Sequence, residues 1–211
     1  GLTKAMDLFS WWLDVADRGQ VLPILPRVAE RARNTYGITI RKMSRRSLRR
    51  DLDTFAKVYN AAWSSNWGFV PYGKEDLDGL AHTYQLVFDR DWFMVAEIEG
   101  EAIAAAITIP DINQVLKKMK GRLLPLGWWH YLRRRKIIDG VRVGFLGVLP
   151  EHQHTGAAAL LYMEHYDMAE KPPPKWGEAG WILENNSAMN RGLEAMGGRI
   201  VKRYRVYERM L

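Results

Sequence analysis

A chain of 211 residues, 47% of them hydrophobic, is long enough to bury a sizeable core, and one domain with an appendage is the arrangement such a length favours. It contains no cysteine, which excludes disulfides, thiolate catalysis and zinc–thiolate sites, and it has no apolar run near the ~18 residues of a spanning helix. The net charge is +7 (pI near 9.6), and the basic residues fall in three local clusters, Arg41 to Arg50, Lys117 to Arg122 and Arg133 to Lys136. None interleaves aromatics at the spacing of a base-stacking platform, so solvated faces or an anionic ligand such as a coenzyme phosphate are expected ahead of nucleic acid. Asp7, Asp14 and Asp17 interrupt the one apolar N-terminal stretch, so no signal-peptide pattern is present, and a cytoplasmic protein with no membrane partner is expected.

In chain order, residues 1–37 read as a helical appendage. Leu8, Trp11, Trp12 and Val15 recur at helical spacing until Pro23 and Pro26 break the pattern. This much tryptophan on one face is expected to pack on the main domain, on a second protomer in a homodimer, or on a preceding region of a longer protein, since the chain opens on Gly1. Ile38 to Met43 alternates like a strand. Residues 47–64 and 75–89 read as helices, joined by a loop, Trp63 to Pro71, that carries Trp63, Asn66, Trp67, Gly68 and Phe69. Trp92 to Ile98 and Ala102 to Ile109 form a hairpin about Glu99-Gly100-Glu101. Asp111 to Lys120 reads as a short helix with Asp111 as its N-cap. A linker rich in Trp and basic residues precedes strand Val141 to Val148. A helix over 156–170 runs to the break Pro172-Pro173-Pro174. Strand Gly177 to Leu183, helix 187–196 and strand 199–208 follow, and Gly197-Gly198 stops the last helix. A hairpin together with strands joined through helices implies a mixed sheet in an α/β or α+β layer fold.

The segment with the clearest chemical meaning is Val148-Leu149-Pro150-Glu151-His152-Gln153-His154-Thr155-Gly156-Ala157-Ala158. A strand ends at proline, a polar loop follows, and a helix starts on small residues. Backbone N–H groups from about His154 to Ala158 are expected to be free at the helix N-terminus, where the helix dipole favours an anion. Gly156 and Ala158 keep bulk away from a pyrophosphate. Gly156 has a second explanation, a positive φ.

Here the sequence resembles the GNAT acetyltransferases, whose coenzyme A loop reads Gln/Arg-x-x-Gly-x-Gly/Ala; Gln153, Gly156 and Ala158 fill the defined positions. The preceding Val-x-Pro, the downstream Glu184-Asn185-Asn186 and the closing Met196-Gly197-Gly198 match the same family, over residues 38–211. The resemblance implies a mixed, mostly antiparallel sheet of six to seven strands flanked by helices. It also implies transfer of an acetyl or short acyl group from acetyl-CoA to a small-molecule or peptide amine by direct attack, without an acyl-enzyme or a metal. Coenzyme contacts would fall on Leu146, Gly147, Val148, Gln153, His154, Thr155, Gly156, Ala157, Ala158 and Asn186. Gly144 and Gly147 fit either close approach of the coenzyme or a packing or bulge glycine.

Proton handling departs from the family. Leu193 stands where many members carry a tyrosine acid, and Val141 to Val148 has no carboxylate. Asn186, Asn190 and Glu184 are therefore the catalytic candidates, with Glu97 and Glu178 as further strand carboxylates. Asn186 fits an N-cap as well, Asn190 a solvent-facing position, and the three glutamates plain solvent-facing strand positions. Trp63, Asn66, Trp67 and Phe69 would wall the acceptor site, or simply pack on the core. The departures leave a second reading, a non-catalytic acyl-CoA-binding module. His152 and His154 lack a third ligand nearby, so no metal site is expected.

Overall fold

The computed structural model describes residues 1–169 and 174–209. Seven strands form one sheet in the order β2-β3-β4-β5-β6-β1-β7. The strands are β1 (Thr3–Leu13), β2 (Thr39–Lys42), β3 (Phe93–Ile98), β4 (Glu101–Pro110), β5 (Gly140–Val148), β6 (Trp176–Leu183) and β7 (Arg199–Glu208). Every neighbouring pair is antiparallel except β5 with β6. This is the mixed, mostly antiparallel architecture expected.

Helices cover both faces. On one side α1 (Ile24–Tyr36), α7 (Ala157–Ala169) and α8 (Ser187–Ala195) bury Leu25, Ala32, Leu161, Tyr166 and Leu193 against Met94, Ala106, Leu146 and Ala179 of the sheet. On the other, α2 (Leu48–Ala62) and α3 (Lys74–Val87) bury Leu52, Phe55 and Ala81 against Phe93, Val95, Ile107 and Phe145. Alternation along β3 and β4 sends successive side chains to these two cores, which is why both strands read as nearly continuous apolar runs.

The N-terminal segment corrects the sequence reading. Residues 3–13 form no helix; they are strand β1, hydrogen-bonded between β6 and β7. The error has a physical cause. Against β7 the register shifts twice: at Lys4/Met6 the extra residue, Ala5, is on β1, and at Ser10/Trp11 the extra residue, Val201, is on β7. The bulge at Ala5, and neighbours on both sides that bury Met6, Asp7, Ser10, Trp11 and Leu13, break the two-residue period by which a strand is read. The expected boundary at residue 37 therefore divides nothing in the sheet. Pro23 and Pro26 do not end a helix either; they sit at the N-cap and first turn of α1, where the missing N–H has no intrahelical partner.

Between β4 and β5 lie α4 (Asn113–Met119), α5 (Gly127–Leu132) and α6 (Arg134–Ile137), the last two within the expected linker. Ile112 is the N-cap of α4 rather than Asp111, whose carboxylate accepts from the amide of Asn113 at 3.3 Å. Of the expected proline break, Pro172 and Pro173 lie outside the described residues.

Candidate functional site

The site begins where β5 leaves β6. Their parallel pairing runs from Gly140↔Trp176 to Val143↔Ala179 and stops there. Beyond that point β5 stays paired with β4 as far as Val148↔Ala104, and β6 stays paired with β1 as far as Leu183↔Leu8. The register between β4 and β5 steps from Ile107↔Phe145 to Thr108↔Val143, leaving Gly144 as an extra residue. A bulge bends the strand that carries it, and this one falls immediately after the last β5–β6 pair. Residues 144–148 thus present a backbone edge to an opening whose far wall is β6. Leu146 and Val148 bury their side chains in the core; Gly147 is a packing glycine, since a Cβ there would lie 2.6 Å from the Phe145 ring. What these residues offer a ligand is main chain.

At the end of β5, Pro150–Thr155 forms a 3-10 turn leading into α7. Gln153 and His154 are exposed and Thr155 is buried, its hydroxyl donating to the His152 carbonyl at 2.7 Å. That hydroxyl also accepts from the Ala157 amide at 3.3 Å, so one of the amides expected to be free has a partner. Gly156 has φ 84°, and a Cβ there would lie 2.8 Å from Val28 Cγ1 and 3.2 Å from the Val28 carbonyl oxygen. The space beside this glycine is filled by α1, not open to a pyrophosphate, and the positive-φ explanation is the one the structure supports. Helix α1 adds something the sequence did not signal: Tyr36 meets the His154 ring edge-on at 5.9 Å, and the Arg31 guanidinium lies 6.0 Å from the Tyr36 centroid. A cation therefore stands beside the loop.

The three catalytic candidates are all bound into the scaffold. Asn186 caps α8, its side-chain oxygen accepting from the Met189 amide at 3.1 Å. Asn190 accepts from the Trp11 indole at 3.0 Å and donates to the Leu183 carbonyl at 3.0 Å, fastening α8 to the ends of β1 and β6. Glu184 binds Lys4 at 2.7 Å and accepts from the Asp7 amide at 3.1 Å; hydrogen bonding to Lys4, then to that amide, holds its carboxyl below its ordinary range. The other strand carboxylates are engaged as well, Glu97 with Arg41 at 2.7 Å and Glu178 with the Ser10 hydroxyl at 2.6 Å. Leu193, at the family's tyrosine position, is buried in the core.

These contacts give stability a defined pH dependence. Buried Asp7 accepts two bonds from Arg205, at 2.7 and 2.9 Å, which hold its carboxyl well below the usual range. Burial lowers the pKa of His165, whose Nδ1 lies 2.7 Å from the Leu161 carbonyl and whose Nε2 lies 2.8 Å from the Thr108 hydroxyl. For each group the unfolded chain binds the proton first, so stability falls with falling pH. The loss should begin below about pH 6.5, where unfolded histidine protonates, and steepen below about pH 4, where unfolded carboxylates do. Thermal melts across this range check it, and Arg205→Ala should flatten the lower step.

Among the acceptor-wall candidates, Trp63 and Phe69 join an aromatic cluster. Tyr59 lies 5.3 Å from Trp63, 5.5 Å from Phe69 and 5.4 Å from Phe145 of β5. Asn66 caps the turn through its backbone, donating to Trp63 and accepting from Phe69, while Trp67 is exposed. The cluster thus reaches the bulged strand through Phe145. A separate cavity of about 240 Å³ opens beside Trp92, Gly140 and Arg134, at the opposite end of β5 from the loop. Among the described residues no group of three or more His, Asp or Glu is placed to hold a metal.

A mostly antiparallel sheet, one parallel pair that splays at a bulge, and a turn-to-helix loop after the bulged strand define the fold of the GNAT acyltransferases, and this chain has that fold. A GCN5-related N-acetyltransferase from Sphaerobacter thermophilus superposes on 98% of the chain and 52% of its own, with TM-score 0.65 and 14% identity. Sequence relatives are a protein named bacterial ceramide synthase from Caulobacter vibrioides, 32% identical over all of this chain and 56% of that protein, and protein YghO from Escherichia coli, 29% identical over all of this chain and 55% of that protein. The chain spans about half the length of these relatives. No protein-family model matches it.

Proposed function

We propose that the chain carries the acyl-CoA site of an N-acyltransferase that moves an acyl group from coenzyme A to an amine by direct attack. The observation that carries this reading is the unpaired inner edge of β5, starting at the Gly144 bulge and leading to the loop before α7. Pantetheine amides would pair with that edge as an added strand does. A β5 N–H near Leu146 would polarise the thioester carbonyl. The coenzyme phosphates would lie by Gln153 and His154, with Arg31 adding positive potential. An alkylammonium acceptor, with a pKa of about 10, must lose a proton before attack, and the departing thiolate must gain one. Glu184 is poorly suited to be the base because Lys4 and the Asp7 amide stabilise its charged form. A cytoplasmic location belongs to the same proposal.

Acetyl-CoA is the simplest donor. The relative named ceramide synthase favours long chains on both sides of the reaction, since a ceramide is the N-acyl amide of a long-chain amino alcohol. The aromatic surface of Tyr59, Trp63, Phe69 and Phe145 supports an apolar acceptor. The second reading, an acyl-CoA-binding module without catalysis, draws on one observation: Glu184, Asn186 and Asn190 are all occupied by scaffold bonds.

Coenzyme A at about a hundred times its dissociation constant should stabilise the fold by ~2.7 kcal/mol and raise the melting midpoint by about 5–10 °C. No shift at millimolar coenzyme removes both readings. Given a shift, thiol release from acetyl-CoA and a long-chain acyl-CoA with short and long amines separates them: turnover supports the enzyme, and its absence with every pair leaves the module.

A further inference from the structure

The charge of this protein is concentrated in one excursion. Between Asp111 and Asp139 there is no acidic residue, while Lys117, Lys118, Lys120, Arg122 and Arg133 to Lys136 contribute eight positive charges. Removing these from 31 Lys and Arg leaves 23 against 24 Asp and Glu, so the rest of the chain is close to neutral and the net +7 resides here. Only one of the eight, Arg135, has an acidic partner among the described residues, Asp89 at 3.8 Å.

The same excursion exposes its largest apolar side chains. Leu123, Leu124 and Leu126 are 60%, 73% and 67% exposed, and Trp128, Trp129 and Leu132 are also open to solvent. These residues are held in place. The Arg122 amide donates to Met119 at 3.0 Å, Trp128 donates to Leu123 from its backbone at 3.0 Å and to Pro125 from its indole at 2.8 Å. Any Cβ on buried Gly127 would lie 1.9 Å from the Arg122 carbonyl oxygen, so only glycine lets the loop close on α5. Tyr131 ties α5 to the end of α3 through the Leu86 carbonyl at 2.7 Å. A built loop thus projects three leucines that no surface of the described residues covers, and solvent exposure of that much apolar area is unfavourable.

We propose that the α4–α6 excursion docks the protein on an anionic lipid bilayer. Leucines and tryptophans belong at the boundary of headgroups and acyl chains, and flanking lysines and arginines pair with anionic headgroups. Arg133 and Arg134 pack their guanidinium groups 5.7 Å from the Trp129 ring and 4.6 Å from the Tyr131 ring, so charge and aromatic surface are adjacent. Nucleic acid would match the charge but leave Leu123, Leu124 and Leu126 unused. No helix among the described residues is long and apolar enough to cross a membrane, and the contact proposed for this excursion is with the bilayer surface. This reverses the expectation of no membrane partner. It does not depend on acyl transfer.

The experiment is sedimentation of the whole chain with vesicles of phosphatidylcholine alone, or of phosphatidylcholine with phosphatidylglycerol. Expected is binding to the anionic vesicles, with a blue shift of tryptophan emission and little binding to the neutral ones. Arg133→Gln/Arg134→Gln should weaken it about 25-fold, from about fivefold for each charge. Leu123→Ser/Leu124→Ser/Leu126→Ser should weaken it at least about tenfold. Both variants should melt and bind coenzyme A like the parent, which keeps this test separate from the proposed activity. Three results overturn the proposal: no binding to anionic vesicles, equal binding by parent and both variants, or a parent dimer that the leucine variant converts to monomer, which makes the patch an interface between copies. Loss of duplex DNA binding by the arginine variant with vesicle binding intact overturns it too.

Discussion

Gly156→Ala is expected to lower the melting midpoint by about 4–20 °C, and Gly156→Glu to prevent folding. An L-residue at φ 84° costs about 1–2 kcal/mol. The added methyl would also meet Val28 Cγ1 at 2.8 Å, and overpacking of this kind costs about 1–3 kcal/mol. The backbone of α1 is close behind, with the Val28 carbonyl at 3.2 Å, so the helix cannot give way by a rotamer change alone. Together these come to about 2–5 kcal/mol, at roughly 2–4 °C per kcal/mol for a chain of this size. A glutamate would have to enter the α1–α7 contact itself. Coenzyme binding should disappear only in step with the fold. Melting each variant and titrating the folded fraction of Gly156→Ala with coenzyme A by calorimetry tests the assignment. A variant that melts like the parent yet no longer binds would return this glycine to the ligand.

The parts of the fold legible in sequence are those in which one period governs a segment. Helices α2, α3 and α8 and the β3–β4 hairpin fall within a few residues of their expected limits because each has a single buried face or a clean turn, while α7, buried around most of its circumference, is marked by Gly156 before it and the prolines after it. β1 is not legible because its pattern reflects one bulge of its own and two neighbouring strands, neither of which a local period encodes. The site divides in the same way. The loop before α7 shows in the order proline, polar residues, glycine, small residues, while its surroundings do not: Val28, Tyr36 and Arg31 reach it from more than 100 residues away. The bulge at Gly144 was visible as a glycine in a strand, but its meaning comes from the step between Ile107↔Phe145 and Thr108↔Val143. The catalytic candidates were polar residues near the right strand end. The partners of Glu184 and Asn190, namely Lys4, Asp7 and Trp11, lie on the strand whose sequence reads as a helix.

Asn190→Ala tests that last point most directly, and it should act on stability rather than on chemistry. Its side chain closes a bridge of three elements: the Trp11 indole of β1 donates to it at 3.0 Å, and it donates to the Leu183 carbonyl at the end of β6 at 3.0 Å. Alanine leaves a buried indole N–H without an acceptor and a strand-end carbonyl without this donor. The Leu183 carbonyl keeps the Asn186 amide at 3.0 Å, so the loss is that of the indole; a buried polar group stripped of its partner costs about 1–3 kcal/mol, which should lower the melting midpoint by about 2–12 °C. Trp11 is buried, so its indole N–H has little access to water in place of the lost acceptor. Asn190→Gln cannot restore both bonds, because the longer side chain shifts the amide by a methylene while both partners are fixed by strands. Asn190→Asp keeps an acceptor for Trp11 but sets a carboxylate against the Leu183 carbonyl, so it should recover only part of the loss. If acyl transfer is found, turnover per folded molecule should be nearly unchanged in Asn190→Ala below its midpoint. A variant that melts like the parent and loses its turnover rate would instead place Asn190 at the reacting atoms.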